Sequence, residues 1–135
     1  MADVVICLLE NDGDILILRR SKNVGTYSGL WGGVAGFVEK DEEPFETAYK
    51  EIKEEIGIDM DGVIFVKDGD VISFTDVYND KKYDWVVHPF LFHLKDKGEI
   101  NIDWEHSEYK WILPLDIRNY KTVPRFDDIV RGFFS

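Results

Sequence analysis

Short apolar runs separated by turn residues dominate the hydrophobic pattern of the chain. The run from Val4 to Leu9 is typical of a buried strand, and a second apolar run from Ile15 to Leu18 follows it closely. Asp12-Gly13 lies between the two runs, and this arrangement predicts a β-hairpin. Further strand-like runs cover residues 34–38, 63–66, 71–77, 85–94 and 109–113.

The period of the pattern changes after Pro44. Apolar residues then recur at i, i+3, i+4 and i+7, which predicts an amphipathic helix; they are Phe45, Ala48, Tyr49, Ile52 and Ile56. Asp41 or Glu43 is the expected cap, and Gly57 is expected to end the helix. A second apolar stripe predicts a closing helix over residues 124–134. Strands on both sides of one internal helix predict an α+β fold with a mixed sheet.

Length and charge narrow the class of protein. The 135 residues suit a single domain over 1–135, and their net charge of −11 argues against a nucleic-acid groove or a polybasic membrane surface. No apolar run approaches the roughly 20 residues of a membrane span. Cys7 is the single cysteine, so an intramolecular disulfide is excluded. We therefore expect a cytoplasmic protein.

The predicted helix carries three carboxylates on one face. At roughly 100° per residue, Glu51, Glu54 and Glu55 lie within about 100° of one another, away from the apolar stripe. Like charges at these spacings destabilise an isolated helix. The residues from Gly36 to Ile58 include eight acids and three lysines, so this segment carries a net charge of −5. Either the face is simply solvated, or the oxygens bind a divalent cation such as Mg²⁺.

The spacing of this segment resembles the signature of the Nudix hydrolase family. That signature is Gly, five residues, Glu, seven residues, Arg-Glu, an aliphatic residue, any residue, Glu-Glu, any residue, Gly and an aliphatic residue. The matching positions here are Gly36, Glu42, Glu51, Ile52, Glu54, Glu55, Gly57 and Ile58. Lys50 is the one departure, because the family has Arg there. Lys keeps the charge of Arg but not its planar fork.

The resemblance implies an α/β/α sandwich and a site for Mg²⁺, with Mn²⁺ as a substitute. On this template the metal ligands are the Gly36 carbonyl and the side chains of Glu51, Glu54 and Glu55. Glu42 and Lys50 are expected to anchor the segment rather than take part in the chemistry. The general base varies within the family, so Glu51, Glu55 and a later loop acid, Glu105 or Glu108, all stay open, with Glu105 favoured among the loop acids.

The implied activity is hydrolysis of a diphosphate linkage in a nucleoside diphosphate joined to another moiety, by attack of a metal-activated water on phosphorus. The substrate is then a small nucleotide, in the form of a dinucleoside polyphosphate, a nucleotide sugar or a nucleoside triphosphate. Arg19, Arg20 and Lys22, at the end of the second strand, are the expected phosphate-binding residues. The expected ligand-stacking residues are one or two of Tyr27, Trp31, Phe74, Tyr78 and Trp85.

Two other classes of protein stay open from the sequence. One is a Nudix-fold module that binds nucleotides without hydrolysing them, an alternative that Lys50 keeps alive. The other is an acidic domain that buffers calcium. For His88, His93 and His106 we expect structural or surface roles, because their spacing matches no zinc site. Nudix proteins are often dimers, but the sequence does not settle the oligomeric state.

Overall fold

The computed structural model describes residues 2–135, apart from the side chain of Glu99. The strands are β1 (Ala2–Asn11), β2 (Asp14–Arg20), β3 (Trp31–Gly32), β4 (Val34–Phe37), β5 (Val63–Asp68), β6 (Ile72–Tyr78), β7 (Lys81–Leu94) and β8 (His106–Ile112). The helices are α1 (Pro44–Ile56) and α2 (Phe126–Phe134), with short 3-10 turns at Met60–Gly62, Lys97–Glu99 and Pro114–Asn119.

The mixed sheet is organised around β1. One edge of β1 runs parallel to β7, and its other edge pairs antiparallel with β4 and, at the hairpin, with β2. Asp12 and Gly13 have positive φ angles of 54° and 87° at that hairpin, as an Asp-Gly turn requires. The outer edge of β7 carries β6 and β5 in succession, and β2 carries β3 and β8.

Alternate residues of the central strands face two separate cores. Val5, Cys7 and Leu9 of β1 pack in a cluster that includes Ala48, Ile52 and Ile56 of α1. Ile6 and Leu8 point to the opposite face, where Phe126, Ile129 and Val130 of α2 join the cluster. The sheet is therefore covered by a helix on each face, and the α/β/α arrangement is confirmed.

Helix α1 begins and ends where the sequence pattern predicts. The Glu46 carboxylate accepts a hydrogen bond of 3.1 Å from the Glu43 amide, which satisfies a free donor at the first turn. Gly57 has a φ of 73°, and its amide donates to the Lys53 carbonyl at 3.0 Å. The two-residue strand β3 is not apparent from the hydrophobic pattern. Within residues 2–135, no helix is long and apolar enough to cross a membrane.

Candidate active site

A cavity of about 280 Å³ opens beside the carboxylate face of α1. The sheet contributes an apolar wall to it, α1 contributes acids, and the loop before β8 contributes one further acid. The charged lining residues are Arg20, Glu39, Glu51, Glu54 and Glu105. The chain thus brings four carboxylates and one guanidinium group to a single concave site.

Gly36 lets strand β4 approach α1 closely. It pairs with Val5 of β1, so its backbone position is fixed by the sheet. A Cβ atom added at Gly36 would lie 2.5 Å from Cγ of Glu51, a distance that side chains do not tolerate. Glycine therefore leaves room for the Glu51 side chain beside the backbone of residue 36.

Glu55 is the most unusual carboxylate of the site. Its side chain is only 2% exposed, and its Oε1 accepts a hydrogen bond of 3.2 Å from the Ala35 amide. Its Oε2 is buried and, among the described residues, has no hydrogen-bond partner. Burial and the neighbouring Glu51 raise the pKa of Glu55 well above 4.5. The alternative of a solvated acidic face does not hold for Glu55.

The oxygens of this helix face suit a hard divalent cation. Glu51 is half-buried beside Glu55, Glu54 is exposed at the cavity, and burial raises the pKa of Glu51. Within residues 2–135, no group of three or more His, Cys, Asp or Glu side chains converges on one point. Mg²⁺ commonly takes one or two carboxylates and completes its shell with water and substrate phosphates. The buried oxygen without a donor and the all-oxygen surroundings fit such an ion.

Glu42 and Lys50 form a saturated pair away from the cavity. Lys50 Nζ lies 2.8 Å from Glu42 Oε2, and the Thr47 hydroxyl and the Glu39 amide donate to Glu42 Oε1. These contacts, led by that of Lys50, lower the pKa of Glu42 to about 2. The pair ties the loop before α1 to the second turn of the helix.

The loop before β8 is fastened to the end of α1. The amides of Asn101 and Asp103 donate to the carbonyls of Ile56 and Glu55 at 2.9 and 3.1 Å. This loop brings Glu105 to the cavity, where burial and the nearby Asp103 raise its pKa.

His106, at the start of β8, lies between two acids. Its Nδ1 is 2.9 Å from Asp103 Oδ1, and its Nε2 is 3.7 Å from Glu55 Oε1. The ring is buried, and this burial lowers its pKa. The hydrophobic pattern gives no signal for this position, because the contact depends on how the loop folds against α1.

The three basic residues at the end of β2 are separated by the fold. Arg20 lines the cavity, and its Nε donates to the Thr26 carbonyl at 2.8 Å. Arg19 points elsewhere, with its Nη1 3.2 Å from Glu108 Oε2. Lys22 is exposed. The residues that line the cavity do not include Arg19, Lys22 or Glu108. Arg20 is the cation that the structure places with the carboxylates.

The aromatic residues expected to stack on the ligand also fall into two groups. Tyr27, Phe74 and Trp85 line the cavity, whereas Trp31 and Tyr78 do not. Phe37 lines it as well, although it was not among the residues expected from the sequence. Its position directly after Gly36 was the available signal, because a residue next to the expected metal-binding glycine must lie near the site.

Comparison with known proteins agrees with this architecture. The family model of the NUDIX domain matches residues 1–133. CTP pyrophosphohydrolase of Escherichia coli (strain K12) is 24% identical over 135 residues, which are 100% of this chain and 93% of that protein. The crystal structure of a MutT protein from Methanosarcina mazei Go1 superimposes with a TM-score of 0.71 at 29% identity, covering 98% of this chain and 91% of that one.

A second similar structure was determined with a metal ion. It is a bifunctional NMN adenylyltransferase/ADP ribose pyrophosphatase from Francisella tularensis, complexed with AMP and a Mn ion. Its TM-score is 0.77 at 22% identity, over 96% of this chain and 40% of that chain. The fold, the match over residues 1–133 and these similarities lead to one conclusion: the chain belongs to the Nudix family and is a hydrolase acting on phosphorus-containing anhydrides.

Proposed function

We propose that the protein is a Mg²⁺-dependent pyrophosphohydrolase that cleaves the diphosphate linkage of a nucleoside triphosphate or a related nucleotide. The observation that carries this proposal is the buried Glu55 Oε2, which has no donor within the described chain; Glu55 lies behind the cavity lining, beside Glu51, which lines the cavity. A buried ionised oxygen is costly unless it is paired or coordinates a metal. A divalent cation satisfies both carboxylates at once.

Glu51 and Glu55 lie side by side and would hold the ion, in line with the general use of divalent metals by Nudix hydrolases. Glu54 and the Gly36 carbonyl are the other ligands that the resemblance implies, and because Glu54 does not converge with the first two, it would join through water or substrate. When bound, Mg²⁺ neutralises phosphate oxygens and lowers the pKa of a bound water. Lys50 and Glu42 hold the helix and its preceding loop together, so they support the carboxylates without contacting the substrate.

Glu105 is the general base in this proposal. It lines the cavity on the loop that is fastened to the end of α1, and burial raises its pKa, which makes the carboxylate a stronger base. As the oxygen of the attacking water bonds to phosphorus, Glu105 takes its proton. The bridging P–O bond then breaks, and the bridging oxygen leaves with the other phosphate. Glu108 is unsuited to this step, because it pairs with Arg19 outside the cavity.

Arg20 binds the phosphates of the substrate. Its Nε is held by the Thr26 carbonyl, which fixes the guanidinium at the cavity and leaves other N–H groups for phosphate oxygens. Since Arg20 faces four acids, the substrate enters with its metal ion rather than as a bare anion. CTP pyrophosphohydrolase is among the similar proteins, which favours a nucleoside triphosphate as substrate.

The test is product chromatography of a nucleotide panel with Mg²⁺, with and without EDTA. The panel contains nucleoside triphosphates, diadenosine polyphosphates, ADP-ribose and NADH. We expect nucleotide hydrolysis that EDTA abolishes and that Glu105→Gln lowers about 100-fold, within the range of general-base catalysis. Glu108→Gln, the matched control on the same segment, should stay within twofold. Calorimetric binding of nucleotide without turnover would instead support the non-catalytic alternative.

A further inference from the structure

The apolar wall of the cavity is a flat patch of the sheet. Phe37 of β4, Val4 of β1 and Val87 of β7 occupy one row of cross-strand neighbours, because Val4 pairs with both of the others. Phe74 of β6 is the cross-strand partner of Trp85 of β7 in the same sheet. All five residues line the cavity. The surface that faces the substrate here is therefore made of rings and aliphatic groups.

Tyr27 reaches this wall from the loop between β2 and β3. Its hydroxyl donates to Asp76 Oδ2 at 2.7 Å and accepts from Trp85 Nε1 at 3.2 Å. The side chain is 8% exposed, and the backbone has a φ of 53°, which is uncommon for a residue with a side chain. Burial and Asp76 raise the pKa of Tyr27 to about 12, so the hydroxyl stays protonated near neutral pH.

These hydrogen bonds occupy the ring donors of the wall. The indole N–H of Trp85 and the hydroxyl proton of Tyr27 both have internal partners, and the Thr26 hydroxyl lies 3.3 Å from Arg20 Nη2 as its acceptor. The backbone of β7 is paired with β1 on one edge and with β6 on the other. A ligand against the rings of this wall therefore finds the Trp85 and Tyr27 donors already paired.

The rings of the wall also contact neighbouring side chains. Tyr83 stacks on Trp85 with 5.3 Å between ring centroids and an interplanar angle of 5°. The Arg125 guanidinium lies 5.6 Å from the centroid of Phe74. Such contacts restrict ring rotation, so the wall is organised before a ligand arrives.

We propose that Tyr27 is a positioning residue that converts this wall into a stacking surface for a nucleobase, and that the enzyme consequently discriminates weakly among bases. The inference rests on the proposed nucleotide substrate. Stacking accepts every base, since each has a π face, whereas strong discrimination needs hydrogen bonds to the edge of the base. Tyr27 directs the N–H of Trp85 inward and so removes a donor that could select one base.

The experiment compares ATP, GTP, CTP and UTP as substrates of the wild type and of Tyr27→Phe. For the wild type we expect kcat/KM values within about tenfold of one another, because only stacking differs. For Tyr27→Phe two hydrogen bonds are lost and the Trp85 N–H is left without its acceptor, so we expect KM to change by different factors for the four nucleotides and their kcat/KM values to spread beyond tenfold. The kcat should stay within twofold. Tyr109→Phe, an exposed tyrosine that does not line the cavity, is the matched control.

A preference of the wild type above 100-fold for one base would overturn the inference, as would a Tyr27→Phe profile as flat as that of the wild type or an effect confined to kcat. If Tyr27→Phe does not fold, Trp85→Phe keeps a ring and removes the same N–H, and it should preserve the flat base profile. Calorimetry with Mg²⁺ and the same four nucleotides separates the two proposals. Equal binding without hydrolysis contradicts the proposed function alone, selective binding contradicts the stacking inference, and absence of binding contradicts both.

Discussion

Two acids in the segment from Gly36 to Ile58 have opposite environments: Glu42 pairs with Lys50, whereas Glu55 is buried beside another acid, Glu51. Glu42 accepts hydrogen bonds from Lys50, Thr47 and Glu39, and its pKa falls to about 2. Glu55 is buried beside Glu51, retains an oxygen without a donor in the described chain, and has a raised pKa. The same segment therefore carries one satisfied acid and one that its own chain does not satisfy.

Under the proposed function, this difference separates the acid that anchors the segment from the acids that would take part in the chemistry. The first pair stabilises the folded state in its charged form. The second destabilises it until a proton or a cation arrives, because burial of like charges is unfavourable without compensation. Functional sites are where such perturbed carboxylates tend to cluster. Variants that neutralise each pair should consequently move stability and activity in opposite directions.

Neutralising Glu55 should give the largest effect. We expect Glu55→Gln to lower activity by at least about 100-fold, more than the loss typical of residues that only support metal ligands. The same change should raise the Tm of the metal-free protein by several degrees, at about 4 °C per kcal/mol for a chain of this size. Steady-state hydrolysis and differential scanning calorimetry in EDTA measure both.

Glu42→Gln is the matched control, since it removes one charge from the same segment. It should lower the Tm and leave metal affinity, measured by calorimetry, within a few-fold of the wild type. Activity of Glu55→Gln within twofold of the wild type would contradict the metal site. A Glu42→Gln variant with unchanged Tm would contradict the anchoring role.

Gly36→Ala should be the next most damaging substitution. The new Cβ would meet Cγ and Oε1 of Glu51 at 2.5 Å, so the carboxylate must move away from its position beside Glu55. We expect a loss of activity of roughly 10-fold to 100-fold, as for disturbed metal-site support. Gly25→Ala provides the control, because a Cβ atom added there would have no neighbour within 4 Å and the φ of Gly25 is not positive. Equal activities for the two variants would exclude this steric argument.

The dependence of Tm on pH should show the opposite contributions of Glu42 and of the pair formed by Glu51 and Glu55. The pKa values of Glu51 and Glu55 lie above 4.5, so the metal-free folded state takes up protons more readily than the unfolded chain. Acidification from about pH 7 toward pH 5 should therefore raise the Tm in EDTA. The contribution of Glu42 runs the other way, because it is complete above about 4.5 and is lost as pH falls toward about 2.

Thermal unfolding across this pH range checks the prediction. Glu55→Gln should flatten the rise on mild acidification, and Glu42→Gln should weaken the decline at lower pH. Excess Mg²⁺ should also suppress the rise, since a bound cation favours the ionised carboxylates. The lowered pKa of His106 acts against this rise in every variant, so the difference between wild type and Glu55→Gln is the decisive quantity. Identical changes of Tm between pH 7 and pH 5 in EDTA for the two proteins would contradict the assignment of Glu51 and Glu55.

Local patterns were enough to predict much of the framework. Periodicity identified α1, Gly57 marked its end, and the Asp12-Gly13 turn indicated the first hairpin, because each depends on neighbours in sequence. The fixed gaps between Gly36, Glu51 and Glu55 carried the family resemblance. These positions could be interpreted because helix geometry alone places Glu51 and Glu55 on one face.

The same local patterns could not predict contacts between segments that are distant in sequence. The helical wheel treats Glu54 and Glu55 as equivalent, yet only Glu55 is buried, because strand β4 and His106 cover it. Arg19 and Arg20 look alike in sequence, but alternation along β2 sends only Arg20 to the cavity. Burial and strand direction decided each case, and both depend on the assembled sheet.

Lys50→Arg should have the smallest effect and sharpens the comparison most. Lys50 already pairs with Glu42 at 2.8 Å, so Arg would add a second parallel hydrogen bond rather than a new charge. We expect a slightly higher Tm and a kcat that is unchanged or raised up to about twofold, since Lys50 lies outside the cavity lining. A large loss in turnover would show that residue 50 acts on Glu51 directly. That result would contradict the separation of the anchoring pair, Glu42 and Lys50, from the proposed metal ligands Glu51 and Glu55.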